Sequence, residues 1–266
     1  YDDMRNAFHS RLKEYQDLLV AYPLEPGNWQ QWLVELENDL VTGEAHFLQD
    51  DPVKIDGQDY RLVDMISYLA DPSEIEIILA SPYLIPDKNF LNQLKRGAED
   101  GVDVKIITNS LASTNHTLVN SHYGKYRRPI IDSGAILFEF RHQPSLALRS
   151  VADVEPVTAS FVSLHAKVIV SDRRKCFIGS LNFDPRALVI NSENGLLIES
   201  PELAASLAEF LDTVMTPENS YRVIVNNENK FEWQAEDEIL SGQPSRGFLQ
   251  SLGDFFGRFL PIENQL

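Results

Sequence analysis

The chain has 266 residues, 43% of them hydrophobic and 24% charged, an ordinary globular composition long enough to bury a sizeable core. Its formal net charge of -17 argues against a protein that tracks long nucleic acid, which needs a basic face. No apolar run is long enough to span a bilayer. The one cysteine, Cys176, leaves no intrachain disulfide to form and reads as a buried, inert thiol.

In chain order, Met4, Phe8, Leu12, Leu18 and Leu19 recur at helical spacing. A Pro/Gly loop over 22–27 follows, then a second helical pattern over 29–40. The chain begins at Tyr1, without Met and already in a helical pattern, so it is expected to be part of a longer polypeptide. Residues 1–59 read as a helical lead-in and 60–266 as the main domain. From residue 60 onward, strands are predicted over 75–80, 102–108 and 135–140, alternating with helices over 90–98 and 115–132. That βαβ rhythm predicts an α/β fold with a mixed, largely parallel sheet flanked by helices. Residues 143–160 read as a loop. Strands over 165–170 and 175–179 are joined by Asp172-Arg173-Arg174, and the basic cluster Arg173-Arg174-Lys175 at that turn is read as solvated, with anionic lipid headgroups as the other reading. A strand over 196–199, a helix over 201–214 and a hairpin over 221–233 come next. A stripe of Phe248, Leu249, Leu252, Phe255, Phe256, Phe259 and Leu260 predicts an amphipathic helix. Docking on the core is favoured for it over a membrane surface.

The chemistry gathers between residues 163 and 200. On a strand over 165–170, His165 and Lys167 share one face, about 6.6 Å apart, while Ala166, Val168 and Val170 face a core. A solvated strand face would look the same. The following antiparallel strand, however, delivers Gly179-Ser180-Leu181-Asn182 beside His165. Gly179 permits close backbone approach, and Ser180 and Asn182 supply short hydrogen-bonding groups. An ammonium, an imidazole and such donors suit a phosphate, and Asp184-Pro185 reads as a helix start that adds to it. Glu193 is the candidate acceptor that would fix the His165 tautomer. Asp172, at the turn, reads as a turn acceptor or a partner for a basic group.

His-x-Lys, four residues, Asp, six residues, Gly-Ser-x-Asn, read at His165, Lys167, Asp172, Gly179, Ser180 and Asn182, resembles the signature of the phospholipase D superfamily. Several other segments are similar to the C-terminal half of bacterial cardiolipin synthases: Ser81-Pro82-Tyr83 with Ile85-Pro86, the runs 108–114 and 123–128, Phe183-Asp184-Pro185-Arg186 and Leu260-Pro261-Ile262-Glu263. Ala187 departs from the Ser usual in that family.

The resemblance implies a phospholipase D-like fold and phosphatidyl transfer through a phosphohistidine, with no metal and no cofactor. It makes His165, Lys167, Asp172 and Glu193 catalytic candidates and Gly179, Ser180 and Asn182 substrate-binding ones. It implies a phospholipid substrate at a membrane surface, a bacterial protein on the cytoplasmic side or peripheral to the inner membrane, and a headgroup pocket lined by Tyr123, Lys125, Arg127 and Arg128. Relatives carry two such motifs and this chain one, since His122-Tyr123-Gly124-Lys125 has the wrong spacing. The partner is therefore a missing N-terminal half or a second copy, and an isolated half would be inactive. By the same analogy His165 is the general acid/base. The alternative is a homodimeric phosphodiesterase, either a phospholipase D or a nuclease; the net charge counts against the latter. His9, His46, His116 and His142 read as ordinary surface or core residues.

Overall fold

The computed structural model describes residues 3–6, 10, 26–38, 40–51, 74–152 and 159–266. Most of the helix expected over 1–20, His9 and the domain boundary expected near residue 60 lie outside them. The chain divides into two compact units, Tyr1–Thr42 with Asp153–Ala159, and Gly43–Ala152 with Ser160–Leu266. In the first, helix α1 (Pro26–Asn38) carries the second helical pattern of the sequence.

The second unit is built on a mixed sheet. Its strands are β1 (Glu44–Gln49), β2 (Glu76–Ala80), β3 (Asp103–Asn109), β4 (Ile136–Phe140), β5 (Val168–Ser171), β6 (Lys175–Gly179), β7 (Asn194–Glu199), β8 (Ser220–Val225), β9 (Phe231–Gln234) and β10 (Ile239–Leu240). They lie in the order β1-β7-β6-β5-β2-β3-β4-β8-β9-β10. The α/β class holds, but the sheet is not largely parallel. Only the β2–β3 and β3–β4 pairs run parallel among the described residues, where helices cross over. The hairpin β5–β6 and the strands beyond it pair antiparallel. A βα rhythm is loud in a sequence, whereas the direction of strands inserted by hairpins is set only by pairing across the sheet.

The helices of this unit are α2 (Lys88–Glu99), α3 (Thr117–Tyr123), α4 (Arg127–Asp132), α5 (Leu146–Ala152), α6 (Pro185–Val189), α7 (Pro201–Val214) and α8 (Phe248–Gly257). Each boundary has a local cause. Asp87 caps α2 by accepting from the Phe90 N–H at 2.8 Å. Ser200 and Pro201 start α7. The helix expected over 115–132 is split into α3 and α4, and α5 lies inside the segment read as a loop.

Both faces of the sheet are covered. On one, Leu79, Ile106, Leu137, Ile169 and Phe177 meet Leu94 of α2, Tyr123 of α3 and Ile130 of α4. On the other, Ile78, Ile107, Val168, Val170 and Cys176 meet Ala204, Ala208 and Leu211 of α7. Alternate residues of β5 therefore enter opposite cores, which is why all four are buried. Burial pushes the Cys176 thiol up to about 11, so it stays protonated at neutral pH.

Asp172 explains how the hairpin seats against β2. At φ 51° it closes the β5–β6 turn, and its carboxylate accepts the N–H groups of Glu74, Ile75 and Glu76 at 2.9–3.0 Å. Burial opposes its charge, but these three donors hold its carboxyl below the usual aspartate range. The stabilisation is thus present above the unfolded pKa and lost as pH falls through the depressed one. Asp172→Asn, which tolerates the left-handed backbone, is expected to cost about 1–3 kcal/mol in chemical denaturation at neutral pH. An unchanged midpoint would remove this role.

Candidate active site

The site forms where the loops after β2 and β3 meet the residues that flank the β5–β6 hairpin. The strand expected over 165–170 begins only at Val168, so His165 and Lys167 lie just ahead of β5. Pairing still reaches them, because the Gly179 N–H donates to the Lys167 carbonyl at 3.1 Å. Gly179 is required here. A Cβ on it would sit 2.5 Å from the Asn194 oxygen and 2.7 Å from the Phe177 ring. The chain then turns, and the Ser180 N–H donates to the Asn194 carbonyl at 2.9 Å.

His165 is exposed, and no described residue hydrogen-bonds its ring. Tyr83, after β2, packs edge-on to it with centroids 6.4 Å apart. The imidazole pKa lies below its ordinary value. Burial is the main cause, and Lys167 and His116 add to it. The neutral ring therefore persists further into acid than a free histidine would. NMR titration of His165 should give a midpoint below about 6.5, and Lys167→Met should raise it. A midpoint at or above the free value would contradict this electrostatic picture.

Lys167 donates to the His165 carbonyl at 3.0 Å. Burial lowers its pKa, and the carboxylates of Glu193 and Asp184 oppose that shift. Ser180 is fixed at both ends. Its hydroxyl donates to Glu193, and it accepts from the Asn194 N–H at 3.0 Å. Asn182 is partly buried, and its Oδ1 has no hydrogen-bond partner. Asp184, buried, caps α6 by accepting from the Ala187 N–H at 2.8 Å. Burial raises its pKa.

Glu193 does not take the part expected of it. Its carboxylate accepts from Ser180 and from Asn191 Nδ2 (3.1 Å), and no hydrogen bond joins it to His165. It orients the serine and faces the Lys167 ammonium. Asp172, by contrast, is not brought to the site. It lies five residues beyond Lys167, at the other end of β5, roughly 16 Å away by strand rise.

Residues 66–215 match the family described as "Cardiolipin synthase, PLD-like domain". The chain belongs to this family. Over 87% of its length the PLD-like domain is 30% identical to cardiolipin synthase C of Escherichia coli (strain K12), covering 50% of that protein. It is 26% identical to a cardiolipin synthase of Clostridium perfringens (strain 13 / Type A) over 50% of this chain and 24% of the relative. The chain spans about half the length, or less, of these curated relatives. Among solved structures, a phospholipase D family member, Nuc from Salmonella typhimurium, is 22% identical and covers 68% of this chain and 99% of its own, with a TM-score of 0.49.

In this PLD-like domain two positioning features went unnoticed in the sequence. Asn109, buried at the end of β3, holds Leu164 on both sides, donating to its carbonyl and accepting from its N–H at 2.9 Å each. The next residue is His165. His116, read as an ordinary histidine, packs edge-on against Tyr83, 5.4 Å between centroids. Asn109 ends β3 and His116 follows it, and the C-terminal ends of parallel strands and the loops after them are where α/β sites gather. That positional signal was available from the βαβ pattern.

The four residues expected to line a headgroup pocket do not share one: Tyr123 lines a small cavity with Tyr83 and Asn109, and the three cations are engaged elsewhere. Tyr123 and Arg127 are buried against Glu139. Lys125 binds Glu263 at 2.7 Å, and Arg128 binds Asp132 at 2.9 Å. Glu263 also binds Tyr126 and His122, and these donors, working against burial, hold its carboxyl down at about 2. Two of the three cations of the basic cluster are likewise engaged, while Arg174 is exposed. Arg173 pairs with Glu76 and Asp212, and Lys175 with Glu199.

Proposed function

We propose that this PLD-like domain supplies one of two half-sites of a phosphatidyltransferase of cardiolipin synthase type. What supports the reading is the pairing of the two motif segments, in which the Gly179 N–H donates to the Lys167 carbonyl, with His165 just before and Ser180 and Asn182 just after. Burial, with the Lys167 ammonium adding to it, lowers the His165 pKa, so its imidazolium is the readier proton donor and its neutral form the readier base. The second half comes from the rest of a longer polypeptide, in keeping with relatives about twice this length.

One imidazole attacks phosphorus of a phospholipid phosphodiester, and the P–O bond to the leaving alcohol breaks. The other imidazole gives that oxygen its proton, leaving a phosphohistidine and a neutral base. An acceptor hydroxyl then passes its proton to the base and attacks phosphorus, and the P–N bond breaks. No electrons are exchanged and both imidazoles are restored. His165, from the second half, takes the proton-transfer role. Lys167 stabilises the non-bridging oxygens as charge develops, and Ser180 joins it by turning its one hydroxyl proton from Glu193 to the phosphate. Asn182 does the same through its amide NH2.

Incubating the full-length polypeptide with phosphatidylglycerol vesicles should yield cardiolipin and free glycerol. Phosphatidic acid as sole product would replace transfer by hydrolysis. Cleavage of DNA with no lipid turnover would overturn the lipid reading in favour of a nuclease.

A further inference from the structure

Helix α8 is built the wrong way round for a helix that docks on a core. Its inward face is small or polar. Gly257 lies so close to α3 that a Cβ would meet the Ser121 hydroxyl at 2.5 Å, and Gly253 faces Thr117. Asp254 is buried, bound to Arg258 and, at 2.7 Å, to Gln243. Its apolar face is left in solvent, with Phe248, Leu249 and Phe259 at 77%, 82% and 72% exposure and Phe255, Phe256 and Leu260 alongside. Core docking, expected from the sequence stripe, is thus overturned. The exposed patch is on the order of 500 Å², at the upper end of what monomers leave uncovered.

Two further observations say what covers it. The first is charge. The chain carries a net -17, yet between Phe248 and Leu260 the sole carboxylate is the buried Asp254, and the exposed charged group is Arg258. Such a face suits hydrocarbon, since it brings no exposed carboxylate with it, and two copies at -17 each would repel. The second is position. Gln250 Nε2 donates to the Leu111 carbonyl at 2.6 Å, and Arg246 donates to those of Ala112 and Thr114 at 2.9 and 3.2 Å. This segment joins Asn109, which holds the residue before His165, to His116 on the wall of the site. A surface lying against α8 is therefore beside the mouth of the site.

We infer that α8 is a bilayer-docking helix, inserting its Phe/Leu face between lipid headgroups so that phosphodiesters at the interface reach His165. The inference rests on the lipid reading proposed above. Insertion is driven by apolar burial, because the charge of the body opposes an anionic surface. Binding therefore survives high salt, unlike attachment through a basic patch.

The test is sedimentation of the full-length polypeptide with phosphatidylcholine vesicles, with and without phosphatidylglycerol, at 0.1 and 1 M NaCl (salt levels on the order of those that separate weak from strong screening). Phe256→Ser with Phe259→Ser should lower partitioning roughly a hundredfold, about tenfold per side chain withdrawn from the interface. Circular dichroism and hydrolysis of soluble bis(4-nitrophenyl) phosphate should be unchanged. In Phe256→Trp, vesicles should shift the emission to the blue. Wild-type partitioning by the double variant, or no shift in the tryptophan variant, would overturn the inference. A wild-type dimer that the same substitutions split would also overturn it, assigning the face to a second copy. Loss of lipid turnover in His165→Ala with vesicle binding intact keeps the two readings separable.

Discussion

His165→Ala in the full-length polypeptide is expected to lower lipid turnover by about a thousandfold or more and to leave the fold intact. The rate loss is that of a positioned proton-transfer group or nucleophile. The fold survives because the ring is exposed and no described residue hydrogen-bonds it. What places it, the Asn109 clamp on Leu164, acts on the backbone. The same variant separates the two roles. A general acid matters most when the leaving alcohol is poor. If His165 is the acid, the variant regains much of its rate on an aryl phosphodiester, whose phenolate leaves without help. If His165 is the nucleophile, no leaving group rescues it. Turnover within about tenfold of wild type on the lipid would remove His165 from the chemistry altogether.

Legibility in the sequence followed the range of each interaction. The α2 and α7 boundaries were readable because capping by Asp87 and Ser200 is local, and so was the hydrophobic rhythm of β2, β3 and β4. The six-position motif was readable because a hairpin fixes where its own flanks meet. Partner choice across the sheet was not. Nothing within reach of Glu193 in the sequence says that it binds Ser180 and Asn191 in place of His165, since that depends on how β7 is registered on β6. Edge strand β1, placed within the lead-in by its sequence, pairs with β7 from 145 to 155 positions away in register Glu44 to Glu199 and Gln49 to Asn194. The stripe on α8 was read correctly as a periodicity and wrongly as a contact. Periodicity identifies an apolar face but not its occupant. The inward choice was made by Gly257, Gly253 and Asp254, residues that a hydrophobicity pattern ignores.

The largest stability effect is expected at Glu139. Its carboxylate is fully buried in β4 and accepts from Arg127 Nε at 2.5 Å, Tyr123 at 2.8 Å and Trp233 Nε1 at 2.8 Å. The Arg127 guanidinium lies over the rings of Tyr123 and Trp233, 4.7 and 5.4 Å from their centroids. Burial works against this cation, but Glu139 more than offsets it, so its pKa is raised; burial and the same carboxylate push the Tyr123 phenol far up. Glu139→Ala strips three donors of their acceptor and leaves Arg127 as an uncompensated buried charge. That should cost about 3–5 kcal/mol, read from the denaturation midpoint. The reason is desolvation and not simple attraction, and a cycle can tell these apart. Arg127→Met combined with Glu139→Leu removes both charges and should cost well under the sum of the single losses. Gln243 ties Arg127 (2.9 Å) to Asp254 (2.7 Å), so the Glu139 single variant should also raise amide exchange in α8 before global unfolding. A single-variant loss below about 1 kcal/mol would mean that water reaches this node, and that the seat of α8 does not depend on it.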